Sequence, residues 1–416
     1  MLNPIRTGLP VPLRPLVLAC LAAAQLAAVQ VRAEIRAETG VNGREAASAA
    51  KPPDAKAPET SPVEIPPPDT QQESDPRPED QFRFYEPEIY RELVAGRDLI
   101  LNRRYGEARQ RFEQYDAQNP NRILGPLGVC IALTAEYLET KSEDTLATLR
   151  GAVKAATLRM DRPPPPDPYV PGWRFQRAFV RGIEALLEFW DGNPFAAYRR
   201  AQAALSELER ARKLEPGFAD PDLGFGLYEY VVSDRLRRFL FFLPDRRPEG
   251  IAMVRRAAES GPFTRPIAQI ALLWLYRKEK RYDDVEAIGA ELEQHYPDNV
   301  ISLVLRGQSR LDLNDTAGAL RHYERIISIA PEFVKGRFYR GRARFDLRDY
   351  AGAETDLAAW VASAPVDRRR LADGHAMLGQ IHEIYGQPEL AREHYLAALA
   401  AWPRHADAAK RLKKLE

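Results

Sequence analysis

The sequence predicts an all-α protein, a right-handed α-solenoid of about eight helical hairpins with a C-terminal capping helix. Three observations carry that expectation. "LDLNDTAGAL" (Leu311 to Leu320) and "FDLRDYAGAE" (Phe345 to Glu354) repeat Asp-Leu, Asp and Ala-Gly-Ala in register, 34 residues apart. Pro297, Pro331 and Pro365 keep the same interval of 34, and Pro403 follows after 38. Apolar residues recur at three and four positions throughout, which marks helix faces, and no alternating strand pattern competes. A period of this length is one supersecondary unit that buries its apolar face only by stacking on its neighbours.

The elements follow in order from the N-terminus. Arg6 and Arg14 precede the apolar run Pro15 to Val29, which is short for a membrane span and carries Gln25. This reads as a signal peptide over 1–33, cleaved after Val31-Arg32-Ala33 with Ala22-x-Ala24 as a competing site, and implies an exported, periplasmic protein. "VLAC" before Cys20 offers the alternative of a lipid anchor at that cysteine. Residues 34–80 are a Pro/Ala/Glu-rich linker with nine prolines between Lys51 and Asp80. Such a stretch has too little apolar surface to offset its ordering entropy. Residues 81–262 then form an N-terminal array of divergent, lengthened hairpins, and 263–416 hold the regular repeats and the cap. The closing "HADAAKRLKKLE" is polar enough to seal the last apolar face, as solenoid ends require.

The repeat resembles the tetratricopeptide family, whose units are helix-turn-helix pairs ending in proline. With that proline as position 32, the last unit places Leu378 and Gly379 at 7 and 8, Ala391 at 20, Tyr395 at 24 and Ala398 at 27. Gly341 and Ala353 answer in the unit ending at Pro365, and Gly307, Ala319 and Tyr323 in the one ending at Pro331. The first unit has Gly96, Ala108 and Phe112 before Pro120. Small residues at these positions let helix A of a unit approach its own helix B, and the large ones fill the space left. Between Asn121 and Pro262 the period is stretched, and about a dozen extra residues separate the two helices of the fourth hairpin. The wording around that insertion also resembles exported bacterial tetratricopeptide proteins and, more faintly, tetratricopeptide proteins of mitochondrial outer membranes.

Catalytic signatures are missing from the chain. There is no phosphate-binding glycine loop, Gly-x-Ser-x-Gly or His-Glu-x-x-His, so an enzyme is not expected and no cofactor or metal is implied. Gly224-Phe225-Gly226 follows helix-forming residues and reads as a close helix crossing. His375, His382 and His394 gather in the last unit, where a structural role outweighs metal ligation. Cys130 reads as a small core residue. Net charge is +1, from 60 basic and 59 acidic residues, so no global field favours nucleic acid.

What remains is interaction. The resemblance implies a protein–protein scaffold with a concave groove for a partner's peptide. At groove positions the chain places Trp274, Arg277, Gln308, Lys335, Phe338, Arg342, Phe345 and Gln380. Cations mixed with aromatics suit a partly acidic segment with apolar anchors. The carboxylate clamp of the family needs lysine and asparagine where this chain has Ile270 and Trp274. The alternative is membrane or envelope-complex contact through "SDRLRRFLFFLPDRRP" (233–248), using Arg237, Arg238, Phe239 and Phe242. Against it, packing on the equally long preceding hairpin would bury Phe239 and Leu240.

Overall fold

In a computed structural model, residues 83–166, 168–237, 244–363 and 367–415 are described, excepting the side chains of residues 235 and 236. These residues form seventeen α-helices and no strand. In chain order they are α1 (Pro87–Leu101), α2 (Tyr105–Gln118), α3 (Leu124–Thr140), α4 (Glu143–Arg159), α5 (Val170–Trp190), α6 (Pro194–Leu214), α7 (Asp220–Leu236) and α8 (Arg247–Ser260). The second half follows as α9 (Arg265–Lys278), α10 (Tyr282–His295), α11 (Val300–Asp312), α12 (Thr316–Ile329), α13 (Val334–Asp346), α14 (Tyr350–Ala362), α15 (Arg368–Ile384), α16 (Pro388–Ala401) and α17 (Ala406–Leu415). Consecutive helices pair as eight hairpins, and α17 caps the last one.

Seven of the eight hairpins reverse direction through one residue in the left-handed region: Arg103, Lys141, Gly192, Lys280, Asn314, Arg348 or Gly386, with φ between 57° and 75°. A side chain there costs about 1–2 kcal/mol. Five of the seven positions are not glycine, so the packing of each helix pair outweighs that cost. Asp315 and Asp349 follow two of these turns and cap the next helix, each accepting a backbone N–H three residues on.

The repeat positions pack as their sizes dictate. A Cβ added at Gly96, Gly307 or Gly379 would lie 2.0, 2.5 and 2.5 Å from the rings of Phe112, Tyr323 and Tyr395. Ala319, Ala353 and Ala391 are fully buried between paired helices. The Gly224–Gly226 segment is a helix crossing: a Cβ on Gly226 would meet the carbonyl oxygen of Gly250 at 2.5 Å, so the backbones of α7 and α8 touch. The insertion of the fourth hairpin is the segment between Leu236 and Arg247. Residues 238–243 of that insertion lie outside the described residues.

Helices A of successive units touch one another, α1 with α3, α3 with α5, α9 with α11 and α13 with α15, so they form one layer and helices B another. The array also turns back on itself. Tyr90 and Arg97 of α1 donate to the carbonyls of Pro262 and Phe263, at 3.1 and 2.7 Å. Tyr296 donates to Asp98 (2.8 Å), Asn299 to the Leu101 carbonyl (3.1 Å), and Arg103 to the Ile329 carbonyl (2.9 Å). Helix α1 thus lies across three successive inter-repeat turns that are more than 160 residues away in the chain. Apolar burial follows the same route, and one core cluster runs from Phe84 to Leu305 without a break at residue 262.

At the centre of that closure sits Asp220, fully buried at the start of α7. It accepts from Tyr85 Oη (2.6 Å), Thr264 Oγ1 (2.7 Å), Thr264 N (2.8 Å) and Phe263 N (3.1 Å). Burial pushes its carboxyl above the usual range, opposed by these donors. Around it Phe84, Tyr85, Phe175, Phe179, Phe218 and Phe263 stack edge to face or tilted, with centroids 4.8 to 6.2 Å apart.

Candidate functional site: the inner face of the last repeats

In the first half of the array α1 lies against the inter-repeat turns, beside the aromatic cluster around Asp220. Groove residues nearest to it are drawn inward too. Trp274 is buried edge-on against Tyr230, with ring centroids 5.6 Å apart. Arg277 is buried and donates to Gln308 (3.0 Å) and Asp312 (2.9 Å), so two candidate groove residues satisfy each other. Burial lowers the Arg277 pKa and Asp312 opposes that shift.

Further along, the face opens. Helix α13 places Lys335, Phe338, Arg342 and Phe345 at intervals of three and four, on one side of the helix. Phe338 is buried against Trp360 and Phe345 is half-buried beside Tyr350. Arg342 is exposed and Lys335 half-buried. Neither has a carboxylate partner among the described residues, whereas Arg340 and Arg344 of the same helix both bond to the buried Asp356, at 2.7 and 3.0 Å. Loss of hydration, followed by repulsion from Arg370, lowers the Lys335 pKa to about 8. On α15, Arg370 is held by Asp367 (2.8 Å), and Gln380 donates to Asp407 of the cap (3.1 Å).

Under this face lie Tyr323 and Tyr339, stacked with centroids 5.5 Å apart, their hydroxyls buried and without a partner. Burial raises the Tyr323 pKa, reinforced by Tyr339 and opposed by Arg277 and Arg342. Periodicity identified Tyr323 as a packing residue. Its pairing with Tyr339 depends on how two units stack, which no single repeat shows.

The three histidines meet. His375 and His394 face each other with Nδ1 atoms 3.1 Å apart, and His382 stacks on His394 with centroids 5.1 Å apart and planes 6° from parallel. Loss of hydration lowers the His394 pKa to about 4, with His375 and His382 adding to the shift. Among the described residues no group of three or more His, Cys, Asp or Glu is arranged to hold a metal ion.

The described part of the basic insertion is tied to the fold. Arg237 pairs with Asp245, Arg247 with both Asp245 (2.7 Å) and Glu279 (3.1 Å), and Arg246 with Glu229 (3.4 Å). Arg238, Phe239 and Phe242, with Leu240, lie outside the described residues. No helix among the described residues is long and apolar enough to cross a membrane.

The repeat identified by periodicity is also recognised by sequence comparison: a tetratricopeptide-repeat family model matches residues 304–368. The chain carries tetratricopeptide repeats. One solved structure agrees in fold and two others are more loosely similar. The APC/C hetero-tetramer Cut9–Hcn1 is 12% identical with a TM-score of 0.53, over 77% of this chain and 54% of the other, so this chain spans about half of that one's length. Pseudomonas aeruginosa pilF is 14% identical with a TM-score of 0.45, over 58% of this chain and 99% of its own. YrrB, described as a TPR protein with an unusual peptide-binding site, is 16% identical with a TM-score of 0.37, over 50% of this chain and 97% of its own. No curated protein matches the sequence. Arrays of this kind present extended surfaces to protein partners.

Proposed function

We propose that the protein is a non-catalytic interaction scaffold of the bacterial cell envelope that holds a partly acidic peptide segment on the inner face of α11, α13 and α15. One observation carries this reading: Lys335 and Arg342 stand two helical turns apart with aromatic side chains between and beside them, and neither forms an ion pair with a described carboxylate. Cations left unpaired on a helix face otherwise rich in internal ion pairs are available to a ligand's carboxylates, and Phe345 supplies apolar contact. The envelope location rests on the signal-like N-terminus. A photo-crosslinking amino acid placed at Arg342 or Gln380 in the native host tests the reading. Partners captured there and absent from the same probe at exposed Arg321 of α12 support it. Equal capture at all three positions removes the inner face as the site, and a cytoplasmic protein with an intact N-terminus removes the envelope assignment.

A further inference from the structure

From Val334 to Arg370 the chain has nine basic and five acidic residues, a local charge of +4 in a protein whose net charge is +1. A stretch of opposite charge lies near the N-terminus. Residues 51–80 contain eight acidic residues (Asp54, Glu59, Glu64, Asp69, Glu73, Asp75, Glu79, Asp80) against Lys51, Lys56 and Arg77, a local charge of −5. The same segment has nine prolines, and carboxylates such as Glu64 and Asp69 flank the run Pro66-Pro67-Pro68. Proline runs favour the extended polyproline II form, which holds its side chains outward and loses little entropy when it lies along a surface.

We propose that the acidic, proline-rich segment 51–80 of the same chain occupies the cationic face of α13, with its carboxylates on Lys335 and Arg342, so that an external partner must displace it. This rests on the inner-face reading above. The segment can span the two cations: seven residues along α13 separate them by about 10 Å, and Asp69 and Glu73, four residues apart, would lie about 12 Å apart in polyproline II, a difference that flexible side chains take up. The chain also reaches. Helix α1 is about 22 Å long, and Arg103 just beyond its end bonds to the Ile329 carbonyl and pairs with Glu332, close before Lys335. From Glu64 to Arg83 the linker spans up to about 60 Å when extended, more than the length of α1 and the turn after it. Acids already on the face are engaged: Asp312 by Arg277, Asp356 by Arg340 and Arg344, and Asp367 by Arg370. The buried hydroxyls of Tyr323 and Tyr339, which have no partner, give the same face spare donors beneath the cations.

Zero-length carbodiimide coupling of the full chain tests this, because it joins a carboxylate to an amine only where the two already touch. The expected product is an amide between Lys335 and a carboxylate of 51–80, found by peptide mass spectrometry, at a yield that does not fall on dilution. The product should drop several-fold at an ionic strength of about 0.5 M, where the Debye length is about 4 Å. It should vanish in Lys335→Gln while other couplings persist. Lys335 joined only to Asp367, or joined to the linker in a concentration-dependent way, overturns the in-chain contact. As a second measurement, Glu64→Gln, Asp69→Asn, Glu73→Gln and Asp75→Asn together should tighten binding of a synthetic peptide of residues 59–76 to the full chain by about three-fold or more. Unchanged affinity overturns the proposal. Partners photo-crosslinked at Arg342 without any linker product would leave the scaffold reading standing and this one refuted.

Discussion

Replacing Asp220 by alanine removes the acceptor of four hydrogen bonds whose donors, Tyr85 Oη, Thr264 Oγ1 and the amides of Phe263 and Thr264, sit in a fully buried environment. Each buried donor left without a partner costs about 1–3 kcal/mol, so four would sum to about 4–12 kcal/mol. Two effects reduce that total: a water can enter the space vacated, and the cost of burying a carboxylate disappears. Truncating one member of a buried charged network typically costs about 3–5 kcal/mol, and that is the expected loss here. Asp220→Asn keeps the shape but turns one acceptor into a donor facing donors, and should cost about half as much. Since the bonds join the N-terminal segment to the α8–α9 turn, the loss is local in origin. Hydrogen exchange should accelerate in 83–101 and 261–267 before it does in α13 to α16. Burial raises the folded carboxyl's pKa, so the native state holds this proton more tightly than the unfolded chain. Its contribution to stability therefore declines as pH rises from the ordinary carboxylate range through that raised value, and Asp220→Asn should flatten this part of the profile. Urea unfolding by circular dichroism gives the magnitude. An alanine variant within about 0.5 kcal/mol of the parent, with no change in exchange of 83–101, would refute the reasoning.

The remaining expectations are narrower. Asn299 both caps α11, accepting from Ser302 N at 2.9 Å, and donates to the Leu101 carbonyl across the closure, so Asn299→Ala should cost about 1–2 kcal/mol and loosen exchange in α1 as well as α11. Loss confined to α11 would show that the seam bond contributes nothing. Ala319→Leu and Ala353→Leu, each at a fully buried repeat position, should each cost about 1–3 kcal/mol through overpacking, read as a lowered Tm. The pKa of His394 is lowered on folding to about 4, so the folded state binds fewer protons there. Stability should accordingly fall as pH drops from the ordinary histidine value toward 4, and His394→Gln should remove that slope in melts followed by exchange of α15 and α16.

Periodicity alone determined the all-α class, the helical hairpins and the cap, because one repeat's packing constrains residues close in sequence. Gly307 must be small where Tyr323 lies across it, and Gly379 where Tyr395 does, so the same letters recur at the same interval. The helix crossing at Gly224 to Gly226 was legible for the same reason. The helices of the lengthened units were legible as helices, since they still show three-and-four spacing even where the period fails. What only the tertiary structure decided is which parts of the inner face stay open. That depends on the curvature accumulated over several units, to which each inter-repeat contact adds a small rotation that leaves no residue-level mark. The bond from Tyr85 to Asp220 spans 135 residues, and the bond from Tyr296 to Asp98 spans 198. Neither pair shares a repeat position or a motif. Trp274 and Arg277, chosen by the same positional rule as Lys335 and Arg342, are buried because Tyr230 packs on the one and Gln308 and Asp312 hold the other, contacts between units that no single repeat shows.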